Sequence, residues 1–255
     1  MKRIIPFVAA VLVALSAQAQ TVNVNLANGQ TVKYNAGNVE DITFTERIAK
    51  PSEDDPEHFR AVDLGLPSGL LWASHNIGAK KYYDAGAFFA WGETSPKKEY
   101  RWESYMWGYY DSTDKKTYLN KYSSADGLTT LTPADDAAAA NWGDGWRMPT
   151  KEDFEELIEN CDAKLDHDDE THTVKGIRLT SKFNKKVLFL PLTGQMLGHS
   201  LDDEEIYGVY WTSTLDTNDS RGVMYGVNAA TIDLSGIGYD SRPLGHAIRP
   251  VKAKE

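Results

Sequence analysis

The sequence predicts an α+β fold built on antiparallel sheets with two main helices, preceded by a small N-terminal β-hairpin module. Three observations carry this. Short apolar runs with strand-like patterning recur along the chain, separated by turn residues. Only two stretches combine a capping residue with a helical pattern. No strand–helix–strand alternation appears, and a parallel sheet would need one.

The chain opens on an address. Met1-Lys2-Arg3 is basic, Ile4 to Leu15 is apolar, and Ala17-x-Ala19 offers small residues for cleavage. This is the three-part pattern of a secretory signal peptide over residues 1–19. The apolar run is too short to cross a bilayer as a helix. No Cys follows it, so lipidation at that point is excluded. The expected product is secreted, periplasmic or held at the cell surface, without membrane insertion after cleavage.

Residues 20–47 read as a small β-module. Val22, Val24 and Leu26 alternate with polar residues, Asn28-Gly29 offers a tight turn, and Val32 and Tyr34 alternate again. Ile42 to Thr45 reads as a third strand. Residues 48–58, with Lys50-Pro51-Ser52-Glu53-Asp54-Asp55-Pro56-Glu57, read as a solvated linker. The main domain is expected over residues 59–252.

The first helix is expected from Pro133 to Asn141. Thr132 is its cap, Pro133 suits the first position, and Asp135 and Asp136 suit the positive end of the dipole. The second is expected from Lys151 to Cys161, with Thr150 as cap and Asp153 completing a variant capping box. Phe154, Leu157, Ile158 and Cys161 make one apolar face there. Cys161 on that stripe reads as a packed thiol rather than a nucleophile. Strands are expected at Leu70–Asn76, Gly86–Trp91, Thr173–Ser181, Lys186–Pro191, Val209–Thr214, Gly222–Asn228, Thr231–Leu234 and Gly245–Val251, with Phe183-Asn184-Lys185 turning one hairpin.

Composition narrows the function. Of 255 residues, 41% are hydrophobic, enough for a real core. Net charge is −10 and no basic stripe offsets it, which disfavours nucleic acid and anionic membrane as partners. The single Cys excludes an internal disulfide framework. There is no Gly-x-Ser-x-Gly elbow, phosphate loop or His-Glu-x-x-His, so no catalysis is expected. No cofactor or metal is expected either. Asp166 to His172 gathers acids and two imidazoles, but it lacks the Gly of a cation loop and reads as a solvated hairpin tip. Asp202 to Glu205 reads the same way.

Seven Trp and thirteen Tyr are the heavier signal. Trp91, Trp102, Trp107, Tyr105, Tyr109 and Tyr110 crowd a polar stretch between Glu93 and Asp126. The favoured reading is that they hold a long loop down as its own satellite core. The alternative is a surface that stacks on sugars or apolar partners.

The C-terminal third supplies the expected ligand surface: Asp216, Asn218, Asp219, Arg221, Tyr225, Asn228, Tyr239, Asp240, Arg242 and His246. Tyr, Asn, Asp and Arg make adaptable contacts at low entropic cost, and Trp211 and Ile248-Arg249-Pro250-Val251 frame them.

Several blocks are familiar. They are Ala61-Val62-Asp63-Leu64-Gly65-Leu66-Pro67-Ser68-Gly69-Leu70-Leu71-Trp72-Ala73, Phe89-Ala90-Trp91-Gly92-Glu93, Asn141-Trp142-Gly143-Asp144-Gly145-Trp146-Arg147-Met148-Pro149-Thr150, Tyr210-Trp211-Thr212-Ser213 and Ile248-Arg249-Pro250-Val251. Over residues 59–252 the chain resembles the Fibrobacter succinogenes major paralogous domain family. The resemblance implies a C-type lectin-like fold, with its first and last strands close together and no established enzymatic activity. Formylglycine-generating enzymes of this fold use paired cysteines, and here only Cys161 exists. The Glu-Pro-Asn or Gln-Pro-Asp loop and the Trp-Asn-Asp of calcium-dependent lectins are absent too. Some proteins of the fold are variable receptors that display exchangeable side chains in the C-terminal region. Under this fold Trp72, Trp142, Trp146 and Trp211 anchor the core, and Arg147 and Arg249 pair with carboxylates or carbonyls. The expected function is exported, non-catalytic binding of an extracellular glycan or protein. The alternatives are a cell-surface structural or assembly component and, third, a glycan-acting enzyme.

Overall fold

The computed structural model describes residues 21–25, 31–35, 48, 60–143, 145–216, 221–228 and 237–254; for 21–25, 31–35 and 221–228 the description is of the backbone. The chain divides into two units, Met1–Glu46 and Arg47–Glu255. In the first, β1 (Thr21–Asn25) pairs antiparallel with β2 (Thr31–Asn35). The register sets Val22 opposite Tyr34 and Val24 opposite Val32. The alternating runs therefore form the expected hairpin. The expected turn at Asn28-Gly29 and the third strand at Ile42–Thr45 lie outside the described residues.

The second unit is α+β, with two helices and many antiparallel strands in small sheets. β3 (Ala61–Asp63) and β4 (Leu71–Ala73) open it, and β15 (Val251–Lys252) closes it. These three form one sheet in the order β15-β4-β3, so the unit's first and last strands share a sheet. Val251 sits opposite Trp72, and Lys254 reaches Asp63 at 2.8 Å. The expected strand Gly245–Val251 is mostly a run of isolated bridges, because its backbone serves several neighbours in turn. His246 pairs with Phe89, Ala247 with Tyr210 and Val251 with Arg147. The expected strand Gly86–Trp91 likewise reduces to the Phe89 bridge.

Helix α1 (Ala137–Trp142) begins later than expected. Thr132 instead closes a turn, its carbonyl accepting from the Asp135 and Asp136 amides. Asp136 takes the capping role because its carboxylate does more than Thr132 could. It accepts from Ala138 N and Ala139 N at 2.8 and 2.9 Å and also from Met148 N at 2.8 Å. Helix α2 (Lys151–Asn160) starts at the expected Thr150–Asp153 capping box. Phe154 and Leu157 are buried and Ile158 packs beside them. Cys161 is not the last helical residue but the first of β7 (Cys161–His167), and it is buried all the same. Burial pushes its thiol up to about 11.

β7, β8 (Lys175–Ser181) and β9 (Val187–Pro191) form a sheet in that order, with Phe183-Asn184-Lys185 turning the β8–β9 hairpin as expected. The β7–β8 connection is not simply solvated. Asp168 is fully buried in it and organises the turn. Its carboxylate accepts from the amides of Glu170, Thr171, Thr173 and Val174 and from the Thr171 hydroxyl. Burial raises its pKa, but these donors outweigh it and hold the carboxyl well below the usual range. Asp166 and Asp169 pair with Arg178.

Further sheets are β10 (Gln195–Leu197) with β11 (Ser200–Asp202), and β12 (Tyr207–Leu215) with β13 (Arg221–Asn228) and β14 (Ile237–Ser241). The expected strand Thr231–Leu234 lies outside the described residues. One core cluster joins Trp72, Phe154, Leu157, Cys161, Leu179 and Leu190. A second joins Trp91, Trp142, Trp146, Met148, Trp211 and Ile248. Ile48, within the stretch read as linker, packs on this second cluster and donates its N–H to Asn141 at 2.8 Å.

The Trp residues and Arg249 have the structural roles expected of them. Fully buried Arg249 donates to Asn76 Oδ1 at 2.6 Å and to the Ser74 and Ala73 carbonyls. Burial pushes its pKa down to about 10, against the opposing pull of Tyr210. Arg147 pairs with Asp153 at 2.6 Å and donates to Met148 O.

Candidate functional site

The polar stretch between Glu93 and Asp126 hides a hairpin. β5 (Gly108–Asp111) pairs with β6 (Lys116–Leu119), setting Tyr109 opposite Tyr118. The tip between them is built by acids. Asp111 accepts from Thr113 N at 2.8 Å, Asp114 accepts from Lys116 N at 3.0 Å and from the Tyr118 hydroxyl, and Lys115 takes φ +59°. At the base the strands close so tightly that a Cβ on Gly108 would lie 2.4 Å from the Tyr118 carbonyl.

Under the hairpin lies the satellite core the sequence suggested. Ala90, Tyr100 and Tyr105 are buried, with Phe88, Trp102, Trp107 and Met196 packed around them. The polar ends of the rings are tied to backbone. Tyr105 Oη donates to Trp91 O at 2.8 Å, Trp107 Nε1 to Gly92 O at 2.7 Å and Tyr100 Oη to Phe88 O at 2.6 Å. Glu93, nearly buried, accepts from Met106 N and pairs with Lys97 at 2.9 Å. Lys121 leans over the Trp107 ring at 4.7 Å while paired to Asp135.

Tyr109, Tyr110 and Tyr118 differ from these rings: they face solvent at 54, 42 and 41% exposure. The Tyr109 and Tyr118 rings stack on each other, centroids 5.3 Å apart and planes 20° from parallel, which leaves the outer side of the pair open to solvent. Their neighbours Asp111 and Asp114 are carboxylate acceptors, and the amide of Thr113 lowers the pKa of Asp111. The open ring face of such a stack, edged by acceptors, can receive the CH face of a pyranose ring and its hydroxyls.

Of the ten residues expected to meet a ligand, Tyr239 is 54% exposed on β14. Asp240 beside it is half-buried and lies 3.1 Å from His246 Nε2. Arg242 and His246 are not on the surface. His246 is buried against Trp211, with ring centroids 4.1 Å apart. Arg242 is buried with its guanidinium 4.8 Å from the Trp91 ring, and it donates to Tyr122 O at 2.7 Å. Both are drawn inward because aromatic rings and carbonyls there replace their hydration. Asp216 is buried as well. Arg221, Tyr225 and Asn228 take places on β13, and Asn218 and Asp219 lie outside the described residues.

Arg242 nonetheless links the two regions. It follows β14 directly, and its bonds to the Lys121 and Tyr122 carbonyls tie that strand's end to the chain just after β6. Exposed Tyr239 and the tyrosine hairpin thus leave the same buried anchor. Sequence reading missed Tyr118 and the hairpin itself. The available signal was two short aromatic runs flanking Asp111 to Lys115, a hairpin pattern masked by the polarity around it.

Among the described residues no group of three or more His, Cys, Asp or Glu is placed to hold a metal ion, and no helix is long and apolar enough to cross a membrane. No protein-family profile, curated protein or solved structure matches the chain.

Proposed function

We propose that this chain is an exported, non-catalytic recognition domain of C-type lectin-like fold and a member of the Fibrobacter succinogenes major paralogous domain family. Its ligand is an extracellular glycan, received on the tyrosine hairpin. The observation that carries the reading is the solvent-exposed Tyr109–Tyr118 stack, held on a hairpin whose base is locked into buried aromatics. A rigid base matters because immobilising loose loops on binding would cost affinity. The shared sheet of the first and last strands and the buried Trp anchors are consistent with that fold.

A glycan array screened with wild-type chain and with Tyr109→Ala and Tyr118→Ala tests it. Saturable binding that falls about tenfold or more in either variant, at unchanged melting temperature, is the expected result. Binding indifferent to both substitutions, or turnover of the bound glycan, would refute it.

A second reading, a surface assembly component, rests on the first unit. Two paired strands of five residues each are too little to be stable alone, so that hairpin needs a partner surface. Co-purification of a protein lost on deleting residues 20–46 would favour it.

A further inference from the structure

Two sheets of the main unit turn their outermost strands toward one cleft. β3 is the edge of β15-β4-β3, and β9 is the edge of β7-β8-β9. Ala61 to Asp63 of β3 and Val187 to Phe189 of β9 line the same cavity, about 710 Å³ in volume. At one end the edges are tied, where Asn184 Nδ2 donates to the Asp63 carbonyl at 2.8 Å.

Ladder bonds decide which main-chain groups face the cleft. Ser74 N donates to Arg60 O at 2.9 Å, so Arg60 and Val62 turn toward β4 and Ala61 turns away. Ser181 N donates to Lys186 O and Leu192 N to Lys175 O, both at 2.9 Å. By the same alternation Leu188 and Leu190 serve β8, while the N–H and C=O of Val187 and Phe189 point outward. Such an edge is a template for another strand where no Pro, Lys, bulge or inward charge blunts it. Lys186 precedes β9 and Pro191 ends it, which leaves Val187 to Phe189 between them as the open stretch.

Charge and shape describe the occupant. The chain is acidic at −10, yet the Lys186 ammonium at this cleft is within hydrogen-bonding distance of no carboxylate among the described residues and acts on Asp63 only through space. The carboxylates that line the cleft are held by other cations, Asp63 by Lys254, Asp169 by Arg178 and Glu170 by Lys81. Val62 is half-buried and Val187 is 38% exposed, so the walls accept small apolar side chains. We propose that this cleft binds an extended peptide by strand addition. The peptide's main chain pairs with the outer edge of β9, its apolar side chains alternate along the walls, and an acidic side chain meets Lys186. This site is separate from the tyrosine hairpin and does not depend on it.

The test selects binders to the full chain from a random dodecapeptide phage library. An enriched peptide is then resynthesised with and without N-methyl groups on alternate residues. Enriched sequences should alternate apolar and acidic residues, and N-methylation of one alternate set should weaken binding about tenfold or more, since it removes and blocks main-chain donors and leaves every side chain unchanged. Val187→Pro deletes an outward N–H while sparing the β8–β9 ladder bonds, and it should weaken binding similarly. Lys186→Glu should do so for acidic peptides. No enrichment, indifference to N-methylation, full affinity in Lys186→Glu, or loss of binding in Tyr109→Ala instead each overturns the proposal. The N-methyl comparison uses wild-type protein, so it decides the matter even if Val187→Pro unfolds.

Discussion

Replacing Arg242 by Ala tests whether this residue belongs to the ligand surface or to the frame behind it. The guanidinium donates at 2.7 Å to the Tyr122 carbonyl, and a charge-assisted bond of that kind contributes about 1.5–3 kcal/mol. Its position 4.8 Å from the Trp91 ring adds about 1 kcal/mol or more in a desolvated setting. It also lies within reach of the buried Tyr105 hydroxyl, whose pKa burial drives far up while the nearby cation partly offsets this. Removing it returns the cost of burying a charge, which offsets part of the loss. The balance is a destabilisation of about 3 kcal/mol, from the bond, the ring contact and the emptied volume together. For a unit of this size that lowers the melting temperature by about 6–12 °C. Urea unfolding followed by tryptophan fluorescence at pH 7 measures it. Arg242→Lys should recover less than half, because an ammonium cannot reproduce the planar fork over an indole. If Arg242→Ala melts with wild type and only ligand affinity falls, the guanidinium is a surface contact and the placement is wrong.

Two other side chains give independent checks. Cys161 should react with Ellman's reagent only after denaturation, since its thiol is buried and pushed up to about 11; rapid labelling of folded protein would contradict this. Asp168→Asn should cost about 2 kcal/mol at pH 7, because an amide nitrogen then faces donors it cannot accept from. The folded-state pKa of Asp168 is depressed, so its contribution is fully present above the ordinary carboxylate range and is lost as pH falls from about 4 toward its folded value. The deficit of Asp168→Asn in urea titrations should therefore shrink between pH 5 and pH 2 (about the span of that loss), and a deficit constant with pH would count against it.

Local information determined the local parts. The Thr150–Asp153 box announced α2, the alternation around Asn28-Gly29 announced β1 and β2, and the stripe through Phe154 and Leu157 announced which face is buried, Cys161 included. These features are readable because a cap or an apolar period acts within a few residues of itself. Tertiary structure decided what depends on distant partners. Asp136 displaced Thr132 as the α1 cap because Met148 comes back to the same carboxylate. Phe89 and His246 look like strand residues but make one bridge, to each other, since the residues beside them pair elsewhere, Trp91 with Arg242 and Ala247 with Tyr210. Asp168 reads as one acid among several until five donors from the following turn close on it. The candidate site divides the same way. A wealth of tyrosine was legible, but which rings face water was not. Tyr105 and Tyr109 are near neighbours of one type, and one is buried while the other is open because a buried guanidinium and indoles lie beneath the first only. Arg242, polar by composition, sits inside for the same physical reason: rings and carbonyls brought from Trp91 and Tyr122 replace the water it would otherwise keep.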